Sequence, residues 1–156
     1  MDSIIRTIQD KTESLLKREA KDWLDSHPGG VEKANVYLVP TLVGLLNKRI
    51  NSREEAREAI ALFEEENMQK EWADNPDALL EIFRRGDGAI PEKVKNVYQF
   101  ILRDEHPLVI QQLSSTGDIN PQHLNSVLAF LCAIIAAQFL RSLEPESQKG
   151  RKMLSL

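Results

Sequence analysis

The sequence has a single cysteine, Cys132, and only three histidines, His27, His106 and His123. One thiol excludes an intrachain disulfide and a cysteine-built zinc site. No two histidines stand four residues apart and no His-Glu-x-x-His occurs, so the helical metal pair is missing as well. The phosphate loop Gly-x-x-x-x-Gly-Lys-Ser/Thr, the dinucleotide turn Gly-x-Gly-x-x-Gly and the nucleophile elbow Gly-x-Ser-x-Gly are all absent. Aromatic residues make up 6% and are not interleaved with basic ones, which leaves no stacking surface for single strands. A net charge of -4 and a pI near 5.5 lack the basic footprint of a nucleic-acid binder. No stretch alternates convincingly with period two, so β-strands are not expected. The first residues, Met1-Asp2-Ser3-Ile4-Ile5-Arg6, carry an acid at the second position and no long apolar run follows, unlike a signal peptide. A cytoplasmic protein is the simplest expectation.

What is present is one stretch unlike the rest. The chain is 28% charged, yet Val127–Leu140 holds one polar residue, Gln138, and no charge. A helix apolar all round is a buried helix. Its fourteen residues span roughly 21 Å at about 1.5 Å each, against about 30 Å of bilayer hydrocarbon. Asn125, Ser126 and Arg141 bound it. It therefore reads as a core helix rather than a transmembrane span.

Around it, helical periodicity predicts six or seven helices in a compact all-α bundle. Residues 2–25 form an amphipathic helix with Ile4, Ile5, Ile8, Leu15, Leu16, Ala20, Trp23 and Leu24 on one face, interrupted by Thr12. His27-Pro28-Gly29-Gly30 is expected to end it with a sharp reversal. Val31–Ile50 is the second helix; Pro40 either kinks it or sits in its first turn, and Gly44 marks a close helix–helix approach. The capping box Ser52-Arg53-Glu54-Glu55 opens a third helix to about Met68, with Ala56, Ala59, Ile60 and Phe63 inward. Asn75-Pro76 starts a short helix over Asp77–Arg85. Glu92–Leu102 follows, with Val94, Val97, Tyr98, Ile101 and Leu102 inward. Asp104-Glu105-His106-Pro107 interrupts, Leu108–Leu113 resumes, and Asn120-Pro121 starts the final helix. A single domain over residues 1–143 and a polar, disordered tail over 144–156 complete the organisation.

An offset of 89 aligns Leu38 with Val127, Leu42 with Leu131, Leu45-Leu46 with Ile134-Ile135 and Ile50 with Phe139. Such an alignment describes a duplicated helix-turn-helix unit around two apolar central helices. The stretch Leu38-Val39-Pro40-Thr41-Leu42-Val43-Gly44-Leu45-Leu46, then Gly86-Asp87-Gly88, then Ser114-Ser115-Thr116-Gly117 before an apolar last helix, resembles the YidB-like family of small bacterial helical proteins, a domain of unknown function. The likeness runs from about Leu16 to Leu140; this chain is more charged and poorer in Gly and Ala. It implies an all-helical, self-associating protein, and it carries over no functional residues.

Residues with chemical potential are weighed against simpler roles. Cys132 lies among Phe130, Leu131, Ala133 and Ile134, where burial leaves a thiol inert. Glu64, Glu65 and Glu66 splay around a helix and cannot converge on one ion. Arg85-Gly86-Asp87 is an adhesion tripeptide by coincidence, and Asp87-Gly88 lacks the alternating oxygen ligands of a calcium loop. No catalytic, cofactor-binding or metal residue is assigned, and no cofactor is expected. The leading expectation is a non-catalytic binding or scaffold protein acting through helix–helix contacts with itself or a protein partner. Two others stand beside it. One is a peripheral membrane protein presenting Ile4, Ile5 and Ile8 to lipid. The other is a small-molecule binder with a pocket near Gln138, Tyr37, Tyr98 or His123.

Overall fold

A computed structural model describes residues 2–86, 89–116 and 119–143 of the chain. The described residues form seven α-helices: α1 Asp2–Glu19, α2 Pro28–Arg49, α3 Arg53–Glu65, α4 Pro76–Arg85, α5 Glu92–Leu102, α6 His106–Thr116 and α7 Leu124–Ser142. Short 3-10 turns occupy Lys70–Ala73, Arg103–Glu105 and Pro121–His123, and no strand occurs among the described residues. The fold is all-α, as the periodicity requires.

The uncharged stretch decides the architecture. Helix α7 is the axis of the bundle and touches every other α-helix. Fourteen of its residues are buried, among them every residue from Ser126 to Ala137. Helix α7 and its leading turn, Pro121–Ser142, are long and apolar enough to cross a membrane, but 78% of the most apolar window is covered by the chain's own helices. The chain itself supplies the cover. Trp23, Phe83 and Phe130 meet edge-on at 5.5 to 5.8 Å, which ties the turn after α1 and helix α4 to the middle of α7.

Several helix ends fall elsewhere than the sequence suggests. Helix α1 stops at Glu19 rather than near residue 25, because Trp23 and Leu24 are needed in the core as the chain turns. Asp25 takes the left-handed region (φ 45°) to make that turn. The reversal is thus complete before His27, and Pro28-Gly29-Gly30 opens α2 instead of closing α1. Pro28 occupies the first helical turn and the His27 Nδ1 accepts from the Gly29 N–H at 3.0 Å. Pro40 lies inside α2, which continues past it on both sides, so the late-start alternative is excluded. Helix α3 ends at Glu65, short of Met68, where Asn67 (φ 58°) is left-handed and the Met68 N–H reaches back to the Phe63 carbonyl. Ser52 caps α3 by accepting from Glu55 N–H, as the capping box predicts, and Asn120 accepts from Gln122 N–H. Asn75 occupies the capping position of α4 without a side-chain hydrogen bond. Helix α6 is longer than Leu108–Leu113 and takes in Pro107.

Thr12, the polar break in the stripe of α1, is fully buried against α2. Its hydroxyl lies 2.7 Å from the Ile8 carbonyl and 3.0 Å from Asn35 Oδ1, while the Asn35 amide donates to the Gln9 carbonyl. The interruption is a polar lock between α1 and α2. The offset of 89 pairs α2 with α7 and α1 with α5, and α2 packs on α7. Between those pairs the copies differ: the alignment lays α6 over the turn that joins α1 to α2. Asp87, Gly88 and Gly117 of the turn and family motifs, and the tail from residue 144, lie outside the described residues.

Candidate functional site

The groups singled out for chemistry are dispersed. Cys132 is fully buried in α7, and burial pushes its thiol far above the ordinary range. Glu64 and Glu65 are exposed, and Glu66 accepts a hydrogen bond from the Asn96 amide at 2.8 Å. No three metal-ligating side chains converge among the described residues. His27 caps α2, and His123 immediately precedes α7.

His106 is different, because the fold gathers polar partners around it. Its Nε2 lies 2.8 Å from Asn125 Oδ1 and 3.1 Å from the Tyr98 hydroxyl, which itself donates to Asn125 Oδ1 at 3.1 Å. With an amide oxygen that close, the proton belongs on Nε2. The group pins the start of α6 to α5 and α7. Burial raises the Tyr98 pKa, and Cys132 beneath it acts in the same direction. Beside the cluster, Tyr98, Gln99, Leu102, Arg103, Asp104 and His106 line an open hollow of about 420 Å³. Arg103 is left-handed (φ 43°) and its guanidinium stacks over Phe100 at 4.9 Å. Of the four residues considered for a pocket, Tyr98 lines this hollow. Gln138 lines a separate apolar crevice of about 70 Å³ with Ile4, Ile8, Val43 and Phe139. Tyr37 and His123 line neither of the two. A volume near 70 Å³ has room for about two water molecules at about 30 Å³ each, not for a cofactor.

The strongest electrostatic feature was not legible in the sequence. Arg49 is 7% exposed, and its guanidinium donates to the Ile101 and Leu102 carbonyls and to Glu105. Lys48 adds a second cation to Glu105 at 2.8 Å. Lys48 and Arg49 together hold the Glu105 carboxyl down at about 2, from an ordinary 4.5. A depressed folded-state pKa stabilises above the unfolded value and is lost as pH falls through the folded one. The wild type should therefore lose stability between about pH 4.5 and 2 more steeply than Glu105→Gln. Urea midpoints of both at pH 7, 4 and 2.5 check this; parallel curves would contradict it.

One surface stands apart from the charged exterior. No Asp, Glu, Lys or Arg occurs between residues 34 and 47 of α2, and α6 has none anywhere. These two helices pack side by side. Outward they present Val36, Pro40 and Gly44 from α2 and Leu108, Gln111 and Ser115 from α6. Val36 is 57% exposed and Leu108 62%, the two most exposed large hydrophobic residues described. Gly44 does not mark a close approach within the chain: a Cβ there would meet nothing within 4 Å. That corrects the expectation for Gly44. An exposed glycine inside a helix costs about 1 kcal/mol relative to alanine, and no intrachain contact requires it. Ile4, Ile5 and Ile8, the residues considered for lipid, pack against the core instead, and Ile8 is buried.

No family model, no curated protein and no solved structure matches the chain.

Proposed function

We propose that this chain is a non-catalytic binding or scaffold protein that acts through helix–helix contacts, with itself or with a protein partner. The observation that carries this reading is the uncharged outer face of α2 and α6, with Val36 and Leu108 standing out to solvent. A chain that is 28% charged leaves residues 34–47 of α2 and the whole of the adjacent α6 without Asp, Glu, Lys or Arg. Interface cores are marked by this depletion of charge more than by bulk hydrophobicity. The face sits on two formed helices, so little order has to be gained on binding. The likeness to the YidB-like family and a place in the cytoplasm belong to the same proposal.

A lipid-binding role for α1 is less well supported, because α1 would have to leave the bundle to expose Ile8. A photoreactive residue at position 36 in cells tests the binding reading. It should give discrete cross-linked protein species, while the same residue at the exposed Arg57 of α3 gives none. Equal labelling at both positions, or none at position 36, would remove the proposal.

A further inference from the structure

We propose that the hollow beside His106 is a binding site for a small zwitterion of the α-amino acid type, with Arg103 taking its carboxylate and Asp104 its ammonium. The hollow, of about 420 Å³, is lined by Tyr98, Gln99, Leu102, Arg103, Asp104 and His106. Small-molecule sites are commonly concavities of about 300–1,000 Å³ in which a few placed polar groups fix the ligand. None of these residues is among those that α2 and α6 present outward, so this site and that face are separate.

The backbone of Arg103 is held at φ 43° and ψ −126°, a combination that glycine adopts freely and other residues only at a cost. Residues held in this way cluster at ligand clamps. The guanidinium that this turn carries is stacked over Phe100 at 4.9 Å and makes no ion pair with any described residue. Asp104, the next residue, makes none either. A cation and a carboxylate thus stand on consecutive exposed residues of one hollow, neutralised neither by the rest of the described chain nor by each other.

The more buried part of the lining offers acceptors. Tyr98 is 8% exposed, and its hydroxyl donates to Asn125 Oδ1, which leaves lone pairs on the phenol oxygen. His106 carries its proton on Nε2 against Asn125 Oδ1, so Nδ1 is an acceptor without a partner among the described residues. With the Asp104 carboxylate, these groups suit an ammonium with three N–H donors. Arg103 and the Gln99 amide supply donors for a carboxylate, and Leu102 gives apolar surface to a side chain.

Charge then selects the ligand. A simple anion would meet Asp104 as well as Arg103, and a simple cation would meet Arg103 as well as Asp104. A neutral molecule would take water from both charges without replacing it. A zwitterion whose two charges flank one carbon pairs with both at once, and its carboxylate matches the planar fork of a guanidinium.

Titration of the full chain with each common L-α-amino acid, up to about 10 mM and followed by amide NMR, tests the site. At least one should bind with a dissociation constant of about 1 mM or below and shift the amides of Gln99, Arg103, Asp104 and His106. Blocking either charge of that amino acid, as its N-acetyl form or its carboxamide, should weaken binding about tenfold or more. Arg103→Gly and Asp104→Asn should each do the same. Because glycine adopts the backbone at position 103 without strain, Arg103→Gly should stay folded, with a thermal midpoint close to or above the wild type. Lys93→Gln, exposed on α5 and outside the lining, should bind as the wild type does. No saturable shift with any amino acid overturns the proposal, as do shifts centred away from these four amides. Equal binding of a blocked form, or binding indifferent to both Arg103→Gly and Asp104→Asn, overturns it as well.

Discussion

Replacing Arg49 with leucine should cost about 3 kcal/mol of folding stability, although an arginine on the buried stripe of α2 looks like a residue that leucine could replace. Helix α5 ends at Leu102, where Arg103 takes a positive φ, so the α-helical hydrogen-bond pattern stops at the Ile101 and Leu102 carbonyls. Arg49, from the last turn of α2, supplies both, by Nε to Ile101 at 3.0 Å and Nη2 to Leu102 at 3.1 Å. The same Nη2 donates to Glu105 at 2.7 Å. Hydrogen bonds involving a charged group contribute roughly 1.5–3 kcal/mol each, and they are not additive. Leucine fills part of the space but supplies no donor to the Ile101 and Leu102 carbonyls or to Glu105. Arg49→Lys should recover less than half of the loss, because one ammonium cannot reproduce a planar fork that addresses three acceptors. Urea denaturation of the three proteins at pH 7 measures both effects. A loss below about 1 kcal/mol for Arg49→Leu would mean that water replaces the guanidinium at little cost.

The second large effect is expected at the middle of α7. Phe130→Ala should destabilise by about 3–5 kcal/mol, since the ring is fully buried and its neighbours cannot collapse into the space. Trp23 and Phe83 each lose an edge-on partner, at 5.5 and 5.8 Å. They belong to different elements, so the change loosens the turn after α1 and helix α4 together. Phe130→Leu keeps most of the volume and should cost below about 1.5 kcal/mol. For a domain whose total stability is about 5–15 kcal/mol, the alanine variant stands near the edge of folding. The pair of variants separates volume from aromatic geometry. Equal losses in both would show that ring geometry, not filled space, holds the three elements together.

Features set by burial were legible in the chain and features set by single long-range contacts were not. The periodicity of α5 names Val94, Val97, Tyr98, Ile101 and Leu102, and all five are buried. The charge-free run in α7 identifies the axis of the bundle because only a covered helix tolerates such a surface. The helix ends were less legible. Asp25, Asn67 and Arg103 end or precede helices with positive φ, and none of them is a glycine that would advertise it. Pro28-Gly29-Gly30 looks like a terminator by composition, yet proline in a first turn equally starts a helix. The context after Ser26 decides between the two. Arg49 looks like one more surface cation; only the fold brings the end of α5 against it. His106 likewise gains Tyr98 and Asn125 from two other helices.

The proposed binding face was visible in part. The run from Ala34 to Asn47 is uncharged in the sequence, but a buried second helix and a half-exposed one share that pattern. Gly44 looks like a point of close helix–helix approach in the sequence, but a Cβ there would meet nothing within 4 Å. A charge-free helix resembles core unless its neighbours are known, and the sequence of α6 shows only the short apolar run Leu108–Leu113. Their packing side by side turns two weak signals into one surface.

A dilution series followed by amide NMR of the full chain tests the central claim most directly. Between about 1 mM and about 10 µM, the amides of Val36, Gly44, Leu108 and Gln111 should shift together with one dissociation constant. Arg57 on α3 and Ile82 on α4 should not move. Spectra that do not depend on concentration would remove self-association as the use of this face, and shifts confined to α3 and α4 would contradict the account.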